Sequence, residues 1–271
     1  MYIPLLKKIL INTIYEPDLP TYSRQEFETC ENIIMQLASE NIDIKMSPEK
    51  LVNLLQYTKK SRNIHTYVNA NALDNIHECL DIIKNENIEG DIIDCGVLRG
   101  GTSILMAGIS KYLNMNKHIF VADSFEGLPT PSEEDGVFAK ELWYRFTDDL
   151  DLFNLKCIAS IEDVKSNFKK YDLLSEQIIF LQGWFSETLS KIDQSVKFSL
   201  IRIDVDWYSS TMDVLLNIYK NLTVGGFIII DDYNLIGCKN AVDEFRLLNN
   251  INSELYVVDQ KTGVVYWRKE K

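Results

Sequence analysis

The stretch IRIDVDWYSSTMDVLLNIYKNLTVGGFIIIDDYN, from Ile201 to Asn234, contains two strand-like runs separated by one helix-like run. The runs LIRID and GGFIIID are rich in β-branched residues, whereas STMDVLLNIYKNL has apolar residues at three- and four-residue steps. A helix of this length between two such strands is typical of a β–α–β unit with parallel strands. This stretch therefore predicts an α/β fold built on a parallel sheet.

The same alternation of strand and helix extends to both sides of this unit. Further strands are predicted at GDIIDCG, KHIFVADSF and QIIFLQGW, and further helices at NALDNIHECLDIIKNENI, TSILMAGISKYL, IEDVKSNFKKYDLL, SETLSKI and CKNAVDEFRLLN. The final stretch ELYVVDQKTGVVYWRK predicts two strands around a turn at Lys261-Thr262-Gly263. Because a hairpin cannot be all parallel, we expect one reversed strand at the C-terminal edge of a mostly parallel sheet.

Residues 1–61 precede this alternation and are predicted to be largely helical, through QEFETCENIIMQLA and PEKLVNLLQYTKK. We therefore predict two parts, a helical N-terminal extension (1–61) and an α/β domain (62–271). The extension, like the segment 130–151, is a candidate lid over a bound ligand.

Charge and cysteine content narrow the classes of partner. The chain has 271 residues and a formal net charge of −12, which argues against nucleic acids and anionic membrane surfaces because both need a basic face. Its five cysteines, without a CxxC pair, are typical of reduced thiols. The apolar N-terminus MYIPLLKKILINTIYEP is too short to span a bilayer and favours self-association. We expect a cytoplasmic homo-oligomer that binds small molecules or metal cations.

A glycine-containing turn follows the first predicted strand, in GDIIDCGVLRGGTSILM. Gly96, Gly100 and Gly101 allow the backbone to turn tightly and to approach a ligand, and the next helix offers free N–H groups at its start. The pattern is not GxGxxG, because Leu98 occupies the position of the second glycine, so a pyrophosphate site is not indicated. The turn is compatible with a ligand site, although a bare β–α turn needs no ligand.

The next two strands add further candidate ligand residues. Asp123 ends the second strand about thirty residues after Asp94, near the position of the acid that binds a ribose in doubly wound folds. The alternative role for Asp123 is to cap the following turn. The sequence Gly183-Trp184-Phe185 follows the third strand, where it could place an aromatic face or a backbone amide against an adenine. Packing of both aromatic rings in the core is the alternative.

Four carboxylates follow the strands of the opening stretch: Asp204, Asp206, Asp231 and Asp232. Parallel strands end at one edge of the sheet, so these acids should converge and repel each other unless a cation or protons intervene. An oxygen-rich cluster suits a hard cation, and Mg²⁺ is the first candidate. If the strand continues past Asp204, then Asp204 and Asp206 point the same way, which suits one metal ligand and one base. Solvated acids that cap the following helices are the alternative.

Taken together, these residues resemble the macrocin O-methyltransferases of macrolide and aminocoumarin biosynthesis. The resemblance covers roughly residues 62–245. It is carried by His65-Thr66, GDIIDCGVLRGGTSI, VADSFEGLP, DVKSNFKKYDLL, QGWFSETL, IRIDVDWYSST and VGGFIIIDDYNLIGCKNAVDEFR. The chain departs from the family pattern at Val205 and Trp207, beside the expected acceptor pocket.

The resemblance implies a class I methyltransferase fold, which is Rossmann-like. It also implies an S-adenosylmethionine-dependent, Mg²⁺-dependent O-methyltransferase that acts on a sugar hydroxyl of a glycosylated natural product, as in antibiotic biosynthesis, or of a surface glycan. Asp206 would be the general base, and Asp204, Asp231 and Asp232 would hold the metal. The cofactor site would be formed by Thr66, Tyr67, Asp94, Gly96, Leu98, Gly100, Gly101, Thr102, Asp123, Ser124, Gly183, Trp184 and Phe185. Two alternatives stay open, a metal-dependent methyltransferase with a catechol-like acceptor and a dinucleotide-dependent oxidoreductase.

Overall fold

The computed structural model describes residues 2–11, 65–137, 139–140, 143, 157–260 and 262–270. The predicted helices in QEFETCENIIMQLA and PEKLVNLLQYTKK, and most of the candidate lid after residue 140, lie outside these ranges. The division of the chain at residue 61 therefore stays a prediction.

Within the described residues, seven strands form one sheet in the order β3-β2-β1-β4-β5-β7-β6. The strands are β1 (Asp91–Cys95), β2 (Ile119–Asp123), β3 (Ile178–Gln182), β4 (Phe198–Ile203), β5 (Leu222–Ile230), β6 (Tyr256–Asp259) and β7 (Val264–Arg268). Strands β1 to β5 pair in parallel, and β7 runs antiparallel to both β5 and β6. The predicted α/β fold, with a mostly parallel sheet and a reversed C-terminal strand, is confirmed. The reversed strand is β7, and its hairpin partner β6 covers its outer side.

Helices cover both faces of this sheet. They are α1 (Tyr2–Leu10), α2 (Ala70–Asn85), α3 (Gly101–Tyr112), α4 (Ile161–Lys170), α5 (Phe185–Thr188), α6 (Tyr208–Ile218) and α7 (Ile236–Leu248). Successive side chains of a strand point to opposite faces, and accordingly Ile92 and Ile93 of β1 belong to two different hydrophobic clusters. One cluster joins the sheet to α1, α2, α3 and α4, and the other joins it to α6 and α7. Burial on both faces explains why the central strands are almost continuously apolar.

The N-terminal helix α1 packs against the domain itself. Ile3, Leu6 and Leu10 are buried in the same cluster as α3, and Gly108 of α3 leaves room for Leu6, because a Cβ there would lie 2.5 Å from Leu6 Cδ2. The carbonyl of Leu10 accepts a hydrogen bond of 3.0 Å from the His65 amide. This bond joins α1 directly to the segment that leads into α2.

None of the described helices is both long enough and apolar enough to cross a membrane.

Candidate active site

One cavity opens at the carboxyl ends of the parallel strands. Thirteen residues predicted for the site line it: Thr66, Tyr67, Gly96, Leu98, Thr102, Asp123, Ser124, Trp184, Phe185, Asp204, Asp206, Asp231 and Asp232. Four predicted residues, Asp94, Gly100, Gly101 and Gly183, do not line the cavity but lie next to residues that do. This is the edge of an open α/β sheet at which ligands generally bind.

The glycine turn after β1 lies directly against the end of β4. Gly96 has a φ of +81°, and a Cβ there would lie 1.8 Å from the Asp204 carbonyl oxygen, so only glycine permits this approach. Leu98 also has a left-handed backbone, with a φ of +49°, a conformation that costs about 1–2 kcal/mol for a residue with a Cβ. Asp123 compensates for this cost, because its Oδ2 accepts hydrogen bonds from the amides of Val97 (2.8 Å) and Leu98 (3.4 Å).

Asp123 therefore links two loops at the cavity wall. Its Oδ1 accepts a hydrogen bond of 2.8 Å from the Phe125 amide, which is the turn-capping contact that we considered as an alternative. Burial raises the pKa of Asp123, and the three backbone N–H donors oppose this rise. Each carboxylate oxygen has more than one acceptor site, so these contacts leave capacity for hydroxyl donors in the cavity.

Asp94 lies beneath the glycine turn and is fully buried. Its Oδ2 accepts hydrogen bonds from Thr102 Oγ1 (2.7 Å) and Ser103 Oγ (2.6 Å), both in the first turn of α3. Asp94 thus fixes the start of α3 against β1. It acts from behind the cavity wall, whereas the sequence suggested a place in the lining.

The segment His65–Tyr67 passes over the start of α3. The Gly101 amide donates a hydrogen bond of 3.1 Å to the His65 carbonyl, and a Cβ on Gly101 would lie 2.5 Å from that oxygen and 2.7 Å from Thr66 Cβ. Gly101 is therefore needed for a close approach of two backbones. This approach places Thr66 and Tyr67 at the cavity.

The two aromatic residues after β3 occupy different environments. Trp184 is 36% exposed and lines the cavity, whereas Phe185, which also reaches it, packs against the cluster under α6 and α7. Core packing, which we considered as the alternative for both aromatic residues, therefore applies in part to Phe185. Trp184 offers the larger free aromatic surface.

Three carboxylates meet where β4 and β5 end. Asp204, Asp231 and Asp232 each offer one oxygen, and these oxygens all lie within 4.8 Å of one another. The approach follows from the register of the sheet, in which Ile203 pairs with Ile230 and the Asp231 amide donates to the Ile203 carbonyl. Asp231 Oδ1 is buried, and it lies 3.2 Å from Arg202 Nη2. A hard cation prefers a donor set of this kind.

Asp206 reaches the same cavity by a turn. The prediction that Asp204 and Asp206 point the same way required β4 to continue past Asp204. Strand β4 ends at Ile203, so this condition is not met. Asp206 instead has a left-handed backbone with a φ of +60°, and its amide donates a hydrogen bond of 3.1 Å to Asp232 Oδ2. Burial, followed by the charges of Asp204 and Asp231, raises the pKa of Asp206 to about 7.

Arg202 is the functional residue that the sequence analysis missed. Its side chain is completely buried, and it forms ion pairs with Asp94 (3.0 Å), Asp204 (2.6 Å) and Asp231 (3.2 Å). Burial alone would lower the pKa of Arg202, but these three carboxylates raise it well above its ordinary value. A signal was present in the sequence, because a basic residue inside the apolar run LIRID needs buried acidic partners.

The carboxylates at this edge of the sheet carry more negative charge than the single positive charge of Arg202 can balance. Burial, together with the charge of Asp204, raises the pKa of Asp231, and burial with the charge of Asp206 raises that of Asp232 well above its usual value. Arg202 balances only part of the negative charge, so protons or a further cation stabilise the rest. Asp204 and Asp231 contact the guanidinium through one oxygen each.

Known proteins share both the sequence and the fold of this chain. Residues 1–269 match the family model described as Macrocin-O-methyltransferase (TylF). The chain is 34% identical over 276 residues to the demethyldecarbamoylnovobiocin O-methyltransferase of Streptomyces niveus, an alignment that covers 100% of this chain and 94% of that protein. It is 36% identical to the 8-demethyl-8-(2,3-dimethoxy-alpha-L-rhamnosyl)-tetracenomycin-C 4'-O-methyltransferase of Streptomyces olivaceus, over 75% of each chain.

A solved structure, that of the O-methyltransferase NovP, superposes with a TM-score of 0.76 at 33% identity and covers 100% of this chain and 98% of that one. The expected class I methyltransferase fold is thereby confirmed.

Proposed function

The chain belongs to the macrocin-O-methyltransferase family, and from that premise we propose that it transfers a methyl group from S-adenosylmethionine to a sugar hydroxyl with the help of Mg²⁺. The observation that carries this proposal is the convergence of Asp204, Asp231 and Asp232 within 4.8 Å, in the cavity that also contains Asp206 and the glycine turn. Family membership decides against the dinucleotide-dependent oxidoreductase.

The residues over β1, β2 and β3 fit the cofactor. S-adenosylmethionine, when bound, supplies the electrophilic methyl group. Asp123 would accept the ribose hydroxyls, because its oxygens line the cavity beside the glycine turn. Trp184 offers an exposed aromatic face for the adenine. Thr66 and Tyr67, which Gly101 brings over the start of α3, would contact the methionine end.

The residues over β4 and β5 fit a divalent cation. Asp204, Asp231 and Asp232 would hold Mg²⁺, since all three offer hard carboxylate oxygens that lie within 4.8 Å of one another. A bound divalent cation lowers the pKa of a hydroxyl in contact with it and orients that hydroxyl. Arg202 Nη2 forms ion pairs with both Asp204 and Asp231, which holds these two carboxylates close together.

Asp206 would take the proton from the acceptor hydroxyl as the methyl group is transferred. Asp206 lines the same cavity as the proposed metal ligands, so a hydroxyl bound there could reach its carboxylate. Its backbone bond to Asp232 keeps it beside the proposed metal ligands. The other cavity carboxylates are committed to Arg202 or to backbone amides, which favours Asp206 for this step.

A sugar acceptor is supported by the Streptomyces olivaceus relative, a 4'-O-methyltransferase whose named substrate carries a rhamnosyl group. A glycosylated small molecule or a surface glycan would supply such a hydroxyl. A catechol-like acceptor would use the same carboxylates and is the second candidate. The proposed enzyme is a cytoplasmic homo-oligomer. No disulfide links the cysteines that the structure describes.

Calorimetry and a transfer assay test the proposal together. S-adenosylmethionine should bind in titration calorimetry and NAD⁺ should not. Label from methyl-labelled S-adenosylmethionine should then appear in glycosides with adjacent free hydroxyls, with rhamnosides tested first and catechols in parallel. Transfer to catechols alone would overturn the sugar assignment, and binding of NAD⁺ alone would overturn methyl transfer.

Removal of metal should abolish methyl transfer by the purified protein. We expect activity to disappear in excess EDTA and to return when Mg²⁺ is restored, because Asp204, Asp231 and Asp232 would again hold a cation. Asp231→Ala should leave a low activity that no longer responds to Mg²⁺. Undiminished transfer in excess chelator would contradict the metal requirement, and a Mg²⁺ response in Asp231→Ala equal to that of the wild type would contradict the ligand assignment.

Gly101→Ala should weaken S-adenosylmethionine binding by roughly tenfold, since a Cβ must push the His65–Thr66 backbone away from α3. Titration calorimetry measures the change in Kd. Gly108→Ala is the matched control, because it adds the same methyl group to the same helix, where its Cβ meets only the ends of side chains from α1 and Leu173. Kd values for Gly101→Ala and Gly108→Ala that both equal that of the wild type would contradict a contact between the segment 65–67 and the cofactor.

A further inference from the structure

Asp135 ends the short helical turn Glu133–Asp135, which follows the cavity-lining residues Leu128 and Pro129. It is only 3% exposed, and an acid is rarely buried to this extent without a specific partner. The mechanism proposed above gives Asp135 no role, and it does not line the cavity.

The Asp135 carboxylate joins its own turn to helix α6. Oδ2 accepts hydrogen bonds from the Ser132 amide (2.7 Å) and the Ser132 hydroxyl (2.8 Å). Oδ1 accepts a hydrogen bond of 2.6 Å from the Tyr208 amide. Tyr208 is the first residue of α6, and its N-cap residue, Trp207, supplies no side-chain cap. Asp135 therefore provides, from a distant segment, the cap that α6 lacks.

The same carboxylate lies against the start of α7. Gly237 is the second residue of that helix, and a Cβ on it would lie 1.9 Å from Asp135 Oδ1. Asp135 is thus placed between the N-termini of the two helices that follow the acidic ends of β4 and β5. Both helix N-termini favour a negative charge, which explains why an acid is stable at this buried position.

The capped amide lies two residues after Asp206. The left-handed backbone of Asp206 is disfavoured for a residue with a Cβ and persists only where the surroundings hold it. The Asp206 amide is held by Asp232 on one side. On the other side, Asp135 holds the Tyr208 amide, and Trp207 Nε1 donates a hydrogen bond of 2.9 Å to the Pro129 carbonyl. The turn that presents Asp206 is therefore fixed by the segment 129–135.

We propose that Asp135 is a positioning residue for methyl transfer, which holds the Asp206 turn by capping the Tyr208 amide at the start of α6. The inference rests on the proposed role of Asp206 as the base. Because a proton acceptor works only within hydrogen-bond reach of the hydroxyl, a displacement of about 1 Å would reduce turnover by up to roughly a hundredfold.

Substitutions of Asp135 separate positioning from charge. Asp135→Ala should lower kcat by roughly 10–100-fold and leave the Kd for S-adenosylmethionine within about threefold, because the cofactor residues lie over other strands. Asp135→Asn should recover part of the turnover, because its amide oxygen can still accept from the Tyr208 N–H, whereas its NH2 group replaces the oxygen that accepts from the Ser132 amide. Glu134→Ala, the exposed acid next in sequence, is the matched control and should behave as the wild type. Equal losses in Asp135→Asn and Asp135→Ala would show that an acceptor for the Tyr208 amide is not enough to hold the turn, and would overturn the proposal.

A double-mutant cycle tests whether Asp135 acts through Asp206. In an Asp206→Asn background, Asp135→Ala should cost little further turnover, since residues that act as a unit are non-additive. A full 10–100-fold loss in that background would overturn the proposal. Gly237→Ala is the substitute variant if Asp135→Ala does not fold. Its added Cβ displaces the Asp135 carboxylate from the α7 side, so it should cause the same loss of turnover.

Hydrogen exchange tests the anchor without any acceptor. Asp135→Ala should speed amide exchange by at least about tenfold at residues 206–209, relative to Glu134→Ala. Unchanged exchange there would overturn the positioning role even if the proposed function fails. An Asp206→Asn enzyme as active as the wild type would overturn both the proposed function and this role. Asp206→Asn without turnover, combined with a fully active Asp135→Ala, would overturn the positioning role alone.

Discussion

Asp206→Asn is expected to lower kcat for methyl transfer by roughly 10²–10⁴-fold, the range that is lost with a general acid–base group. The substitution keeps the shape of the side chain and the path of the backbone. Asparagine has the shape of aspartate and tolerates the left-handed backbone at this position. The bond from the residue 206 amide to Asp232 involves only the backbone and is retained. A fall in kcat therefore reports the loss of a proton acceptor.

Two measurements keep this prediction separate from a binding defect. The Kd for S-adenosylmethionine should stay within about threefold of the wild type, because uniform binding is not affected. Asp213→Asn is the matched control, since Asp213 lies in the same helix α6 but outside the cavity. A kcat for Asp206→Asn within about threefold of that control would remove Asp206 from the proton-transfer step.

Arg202→Met is expected to lower the free energy of unfolding by about 3–5 kcal/mol, the range measured when one partner of a buried ion pair is removed. Arg202 is fully buried and contacts Asp94, Asp204 and Asp231. Methionine fills a similar volume but leaves these carboxylates without their cation. Urea unfolding of the metal-free protein measures the loss.

Lys239→Met is the control for this substitution. It removes a cation from an exposed pair with Asp243, in which both side chains are nearly half exposed, so the loss should stay below about 1 kcal/mol. A loss for Arg202→Met no larger than that for Lys239→Met would mean that the buried network contributes nothing to stability.

The deficit of Arg202→Met should also depend on pH. The pKa of Asp231 is raised to about 7 by burial and by Asp204, even with Arg202 present. Between the ordinary pKa of an aspartate and this value, the native state binds more protons than the unfolded state, so stability falls as the pH rises. Removal of Arg202 raises this pKa further, so the variant loses more stability than the wild type as the pH rises, and the deficit should be smaller at pH 5 than at pH 8. An equal deficit at both values would favour a packing defect over uncompensated charge.

Much of the fold could be predicted from local patterns. The β-branched runs and the three- and four-residue apolar steps identify β4, α6 and β5 because burial on one or both faces imposes those periods. The predicted helices within the described residues are all present, with bounds shifted by a few residues. Gly96, Gly100 and Gly101 mark the turn after β1, since left-handed or closely approached backbone positions favour glycine.

The candidate site could be predicted only in part. Asp204, Asp231 and Asp232 follow strands that the sequence identifies, so their convergence could be expected at one edge of the sheet. Asp94 follows the same rule and yet is fully buried, because Thr102, Ser103 and Arg202 occupy its oxygens. The strand-end rule locates an acid but does not say which way its carboxylate points.

The sequence by itself determined the order of strands and helices, the glycine turn and the acids that end β4 and β5. Only the tertiary structure decided that Arg202 joins Asp94, which is 108 residues away in the chain, and that Asp135 caps a helix 73 residues later. The physical reason is the distance along the chain over which each kind of interaction acts. Backbone conformation and periodic burial are set by residues a few positions apart, whereas a buried charge takes its partner from whichever segment the sheet brings within about 3 Å.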